Sequence, residues 1–344
     1  MMETQLLSAH SPQEFALASD VAAGIIQAGG LVAFPTETVY GLGANALSPE
    51  AVAGIFRAKS RPQDNPLIVH IAKAEQLEPL VQAIPPRAQA LIDAFWPGPL
   101  TIILPKTERV PLSTSGGLDT VAVRMPNHPL ALVIIEKSGL PIAAPSANRS
   151  GSPSPTTARH CVEDLNGRVE LIVDGGSCAV GVESTVLTLA GDVPRLLRPG
   201  AVTVEQLREI LGHVEVDPAV EHLLDPSKPA LSPGMKYKHY APKAGVLLVS
   251  GSFEQFARYA EQNKAPGVWA LVFDGEEAGI SLPAITYGKE DHPEEQAASL
   301  FTALRRLDEV GAQSVLARMP DRKGLGLAVY NRLIRAAGFK VVEL

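Results

Sequence analysis

Cysteine is scarce: Cys161 and Cys178 are the only two in 344 residues, far apart in the chain and without a histidine pattern beside either. That spacing excludes a disulfide framework and a zinc finger, and it fits a reducing cytoplasm. Both thiols are expected to be small, partly buried hydrophobes. Aromatic residues are few, and no apolar run is long enough to cross a bilayer. The N-terminal residues show no basic stretch followed by an apolar one, so a cytoplasmic protein is expected. Positive charge is not in excess: 30 Lys and Arg face 37 Asp and Glu, a formal charge of −7. Tight, non-specific binding to a nucleic-acid backbone is disfavoured, although a local basic pocket remains compatible with that total. A Gly-x-x-x-x-Gly-Lys-Ser/Thr loop, a Gly-x-Ser-x-Gly elbow and a cysteine nucleophile in a recognisable setting are all missing, which argues against a P-loop nucleotidase and the common covalent hydrolases.

What is present is an alternation of helical and strand patterns. Pro12–Gln27 has apolar residues at helical spacing, with Ser11 as N-cap and Gly29-Gly30 as the stop. Leu31–Phe34 reads as a strand, and Ser48-Pro49-Glu50 opens a helix whose stripe is Val52, Ile55 and Phe56. Strands are expected at Leu67–Ile71, Leu100–Leu104, Val121–Arg124, Ile142–Ala144, Leu171–Val173 and Ser184–Leu189, with helices at Pro85–Phe95 and Pro129–Ser138 between them. Residues 1–211 thus form an α/β domain on a twisted sheet, with antiparallel pairing expected in its second half. Residues 212–244 are proline-rich and read as an extended linker. Residues 245–344 alternate strand and helix again, the pattern of a smaller, doubly wound, Rossmann-like domain. Its first strand is followed by Ser250-Gly251-Ser252-Phe253 rather than Gly-x-Gly-x-x-Gly, so dinucleotide binding is not expected there.

Several apolar segments end in polar groups. After Leu31–Phe34 come Pro35-Thr36-Glu37-Thr38-Val39-Tyr40-Gly41-Leu42-Gly43, read as hydroxyls followed by a glycine turn at a sheet edge, where open α/β sheets bind ligands. Lys59 and Arg61 end a helix, where they complement its dipole or grip phosphates. His70 lies in the apolar run Leu67–Ile71, the ordinary place for a satisfied core histidine. Arg124 ends an apolar strand, and its burial demands a carboxylate from the protein or from a ligand. Ser146 and Asn148 are two residues apart in an extended segment and face the same way, toward one ligand or in a local Asx turn. Glu183-Ser184 and Arg198 repeat the theme, and together these mouths point to a cleft for a small anion.

The motifs Pro35–Gly43, Lys59-Ser60-Arg61-Pro62 with Asn65-Pro66-Leu67, Trp96-Pro97-Gly98-Pro99-Leu100-Thr101, Pro145-Ser146-Ala147-Asn148, Gly181-Val182-Glu183-Ser184-Thr185 and Leu197-Arg198-Pro199-Gly200 resemble those of the YrdC-like threonylcarbamoyl-AMP synthases. The linker Ser232-Pro233-Gly234-Met235-Lys236-Tyr237-Lys238-His239-Tyr240-Ala241-Pro242 resembles that of the long, two-domain form. The resemblance implies a YrdC-like catalytic domain that joins L-threonine, bicarbonate and ATP into threonylcarbamoyl-AMP and diphosphate, with Mg2+, for the N6-threonylcarbamoyladenosine of tRNA. It places Lys59 and Arg61 at the reacting phosphates, and Thr36, His70, Arg124 and Ser184 around threonine. Asn65, Thr120, Ser146, Asn148, Arg198 and Tyr237 would join Lys59 and Arg61 in contacting ATP. Magnesium ligands and the role of Glu37 stay open, as does direct contact with tRNA; the unstable product would pass to a tRNA threonylcarbamoyltransferase. The rival expectation is a double-stranded-RNA-binding module without catalysis, against which the acidic charge weighs. A carbamoyltransferase-maturation enzyme is disfavoured, because the acylphosphatase and zinc modules of such enzymes are missing from this sequence.

A linker that carries Tyr237 over the cleft would shield the product from water. Tyr237→Ala is therefore expected to lower both product yield and nucleotide affinity; unchanged values for both would exclude the lid.

Overall fold

The computed structural model describes residues 2–63, 65–223, 231–232 and 240–344. The first domain contains β1 (Gln5–Ser8), α1 (Pro12–Gln27), β2 (Val32–Phe34), β3 (Gly41–Asn45), α2 (Pro49–Lys59), β4 (Ile68–His70), α3 (Pro86–Phe95), β5 (Leu100–Pro105) and α4 (Leu112–Ser115). It continues through β6 (Thr120–Arg124), α5 (Pro129–Ser138), β7 (Ile142–Ala143), α6 (Ala158–Leu165), β8 (Leu171–Asp174), β9 (Thr185–Thr188), β10 (Arg195–Arg198), α7 (Val204–Leu211) and β11 (Glu215–Val216). These strands form one mixed sheet in the order β1-β8-β2-β3-β7-β4-β6-β5-β9-β10-β11. The strand β11, within the segment 212–244, pairs with β10 and so still belongs to this sheet.

Local chemistry sets most of the element ends. Ser11 caps α1 in a reciprocal box with Glu14, and Ser48 caps α2 ahead of Pro49. Pleating sends Val32 and Phe34 toward α1 and α5, while Ala33 between them joins the core under α2, α3 and α7. The sheet departs from expectation in one informative place. Antiparallel pairing also runs through its first half, because Gly41–Gly43 is not a turn but part of β3, paired with β2. A Cβ on Gly43 would lie 2.5 Å from the ring of Phe34 and 2.9 Å from Ile142. Glycine is there for a close approach between strands, not for a bend.

The second domain comprises β12 (Gly245–Ser250), α8 (Phe253–Gln262), β13 (Val268–Val272), β14 (Ala284–Thr286), α9 (Pro293–Glu309), β15 (Ser314–Arg318), α10 (Gly326–Ala336) and β16 (Val341–Glu343). Its sheet has the order β14-β13-β15-β12-β16, and every pairing is parallel. This is the doubly wound arrangement expected for it, and Ser252 caps α8 where a dinucleotide site would need glycine.

The two domains share apolar packing. Val39 and Val182 of the first belong to the same buried cluster as Leu300, Phe301, Val329 and Leu333 of the second. At the seam Gly181 has φ +79, and a Cβ there would fall 2.3 Å from the carbonyl oxygen of Ala297. Gly181→Ala thus combines a left-handed backbone with a clash against another domain's main chain. It should cost about 2 kcal/mol or more and lower the first thermal transition. An unchanged melting curve would contradict this packing.

Candidate active site

The hydroxyl-rich turn between β2 and β3 is buried and internally bonded. Thr36 Oγ1 donates to the Val39 carbonyl at 2.7 Å and accepts from the amides of Thr38 and Val39 at 3.2 and 3.3 Å. With that proton committed, Thr38 donates to Thr36 across 2.8 Å and in turn accepts from Arg124 Nη1 at 2.9 Å. Strand β3 carries this turn to its neighbour: Gly41 bridges Ser146, and the Leu42 amide bonds the Pro145 carbonyl at 2.7 Å. The two proline-ended mouths are therefore adjacent walls of one cleft.

The strands β4 and β6 supply the floor. Their register sets His70 directly beside Arg124. Arg124 is buried, its Nη2 lies 2.7 Å from Glu37 Oε1, and its Nε donates to Gly98 O at 3.2 Å. Glu37, unassigned from sequence, is thus the counter-ion of Arg124. His70 Nδ1 donates to the Ile68 carbonyl at 3.2 Å. Burial, then the neighbouring Arg124 charge, pushes the imidazole down to about 3, so the ring is neutral at physiological pH.

On the far side Arg198, also buried, donates from Nε to Ser184 O at 3.0 Å and from Nη2 to Ser184 Oγ at 3.1 Å. Thr101 completes that hydroxyl's surroundings at 2.8 Å. Ser184 therefore has its position set by Arg198 and by β5.

Lys59 is the last residue of α2 and is 2% exposed. Its ammonium donates to the carbonyl oxygens of Ser146 and Asn148 and to Asn148 Oδ1. Ser146 Oγ donates to the same Oδ1 at 2.6 Å, and the Asn148 amide group bonds the carbonyls of Arg149 and Ser152 at 2.8 Å each. Ser146 and Asn148 do face the same way, and Asn148 is also the clamp of its loop. Burial, followed by the Arg61 charge, lowers the Lys59 ammonium to about 7, while the three acceptor oxygens favour its charged form.

Thr36, Lys59, Arg61, His70, Arg124, Ser146, Asn148, Ser184 and Arg198 all line this cleft. Two sequence-predicted residues do not. Asn65 is buried against the turn at Gly116, and Thr120 sits at the opposite end of β6 from Arg124, in a groove with Thr188 and Arg195. Tyr237, with the rest of 233–239, lies outside the described residues. Reading the sequence missed Thr38, which ties Arg124 to the turn, and Tyr240, which lines the cleft and packs on Phe301 with ring centroids 5.3 Å apart. It also missed Arg332, whose signal was a charge within the otherwise largely apolar α10.

Four cations in the lining (Lys59, Arg61, Arg124 and Arg198) face one lining carboxylate, Glu183, so the cleft suits an anion despite the acidic total. Among the described residues no three His, Cys, Asp or Glu side chains gather as metal ligands. Glu37 and Glu183 are engaged with Arg124 and Arg332.

Family models account for nearly the whole chain. One described as "Telomere recombination", of the Sua5, YciO and YrdC group, matches residues 24–200, and "Threonylcarbamoyl-AMP synthase, C-terminal domain" matches 202–338. The chain belongs to the two-domain threonylcarbamoyl-AMP synthase family. The threonylcarbamoyl-AMP synthases of Pyrococcus abyssi and Bacillus subtilis are 50% and 48% identical to it, over 94% of this chain in each case and 95% and 93% of theirs. The crystal structure of P. abyssi Sua5 complexed with L-threonine superposes with a TM-score of 0.91 at 46% identity, covering 99% of this chain and all of that one. The family's two-domain α/β architecture is the one described above. No helix among the described residues is long and apolar enough to cross a membrane.

Lys59 supplies a cation below its folded pKa and loses it as pH rises through about 7. ATP affinity should therefore fall above that pH beyond what ATP's own titration explains. Lys59→Met should weaken ATP binding about 10- to 100-fold at pH 6.5, and the gap should close toward pH 9. Parallel pH profiles for the two proteins would rule the charge out.

Proposed function

We propose that this chain is an L-threonylcarbamoyladenylate synthase, converting L-threonine, bicarbonate or carbon dioxide, and ATP to threonylcarbamoyl-AMP and diphosphate. The observation that carries the reading is the meeting of Arg124, His70, Thr36 and Ser184 with Lys59, Arg61 and Arg198 in one cleft.

The threonine amine attacks carbon dioxide and loses a proton, giving a carbamate; starting from bicarbonate, that amine proton departs with the hydroxyl as water instead. A carbamate oxygen then attacks the α-phosphorus, and the bond to the β-phosphate bridging oxygen breaks to release diphosphate. Two anions must approach, so Lys59, Arg61 and Arg198 act by offsetting their repulsion and by holding the departing charge. No enzyme nucleophile is required. Arg124 has five N–H donors, of which two are hydrogen-bonded, to Gly98 and Thr38, while Nη2 is paired with Glu37 by charge without a hydrogen bond. The donors left over, one on Nη1 and those on Nη2, suit the threonine carboxylate. Neutral His70 adds a polar edge without a competing charge, Ser184 offers a hydroxyl for the substrate's polar groups, and Thr36, its hydroxyl saturated within the turn, forms the wall beside them. Magnesium enters in this reading as part of the ATP substrate. The product then passes to a tRNA threonylcarbamoyltransferase.

Incubation with ATP, magnesium, bicarbonate and labelled L-threonine should release diphosphate and yield labelled threonylcarbamoyl-AMP, with both signals dependent on each substrate. Absence of the adenylate, alongside binding of double-stranded RNA, would instead favour a binding module.

A further inference from the structure

The second domain sends one side chain to the back of the cleft. Arg332, on α10, is fully buried. Its Nε lies 3.0 Å from Glu183 Oε2, its Nη2 donates to the Glu183 carbonyl at 3.0 Å, and its Nη1 donates to the Pro199 carbonyl. Glu183 immediately precedes Ser184, and Pro199 immediately follows Arg198. These are the two cleft residues that bond each other through Arg198 Nε and Nη2. The second Glu183 oxygen accepts from Ser154, which lies shortly after the loop that Asn148 clamps. One guanidinium therefore joins two separate cleft segments directly, and a third through Glu183.

We propose that Arg332 is a positioning residue for the synthase reaction, through which the second domain sets the spacing of Ser184 and Arg198. The proposal rests on the reading of the cleft as the threonine and ATP site. A buried ion pair adds little net stability over apolar packing of the same shape, but a planar fork with three fixed acceptors defines geometry. Burial alone would raise the Glu183 carboxyl, yet the Arg332 and Arg198 charges hold it below the usual range, so it stays ionised and keeps the fork occupied. Docking strength has other sources: Arg305 on α9 reaches the Pro153 carbonyl at 2.6 Å and Asp164 at 2.7 Å without lining the cleft. If Ser184 and Arg198 move apart by a fraction of an ångström, threonine and ATP lose a shared edge, which should appear in affinity before it appears in folding.

The test uses the full chain and compares Arg332→Met, Arg332→Lys and the near-isosteric Glu183→Gln with the docking control Arg305→Met. Melting temperature, kcat and the KM for threonine and for ATP are measured for each. Arg332→Met should raise both KM values about tenfold or more, and Arg332→Lys should recover only part of that, since it restores the charge but not the fork. Glu183→Gln keeps the shape and should raise KM about threefold even if Arg332→Met does not fold. Arg305→Met should lower the melting temperature with both KM values at wild type. Wild-type KM values in Arg332→Lys and Glu183→Gln, or KM shifts in Arg305→Met that follow its stability in the same way, would overturn the proposal. A wild type that makes no adenylate would instead refute the synthase reading itself, so the two failures are distinguishable.

Discussion

A cation taken out of water has to be met by oxygen atoms, and that requirement organises this molecule. Lys59, Arg124, Arg198 and Arg332 are all buried, and each is held by carbonyls, hydroxyls or a carboxylate from a distant part of the chain. Lys59 draws the end of α2 onto the 146–148 loop, Arg124 draws β6 onto the threonine turn, and Arg198 draws β10 onto the start of β9. The positive cleft is therefore also what fixes the loops around it. A site that receives two anions must hold its charges apart and aimed before substrate arrives; carbonyl and hydroxyl oxygens do this at Lys59 and Arg198, and Glu37 does it at Arg124.

The same requirement joins the domains. Arg332 is buried only because Glu183 and Pro199 accept its protons, and they belong to the segments that carry Ser184 and Arg198. Apolar contact through Val39, Val182 and Phe301 supplies the area of the seam, while the ion pair supplies its register. The second domain, a parallel doubly wound sheet without a dinucleotide-binding glycine signature, thus has structural consequences for a cleft located in the first.

Much of this was legible in the sequence wherever the cause was local. Ser11 and Ser48 announce their helices because a cap bonds within three residues, and the polar groups after Phe34, Ala144 and Val182 announce a cleft because apolar strands rarely end so. The resemblance then grouped those groups by substrate, and nine of the eleven mapped positions among the described residues, from Thr36 to Arg198, line one cleft; Asn65 and Thr120 do not. What could not be read depended on residues far away. Gly41 and Gly43 look like a turn until Phe34 and Ile142 are seen against them. Glu37 had no role until Arg124, 87 positions on, met it at 2.7 Å. Arg332 looked like one charge in a helical pattern, and only the docking of two domains gives it Glu183.

The central claim is that threonine and ATP occupy this one cleft with the buried cations between them. A crystal structure of the chain with L-threonine and a non-hydrolysable ATP analogue tests it most directly. The account predicts threonine bounded by Thr36, His70, Arg124 and Ser184, with the phosphates against Lys59, Arg61 and Arg198. Either ligand bound instead in the groove at Thr120 or on the second domain's sheet would contradict it.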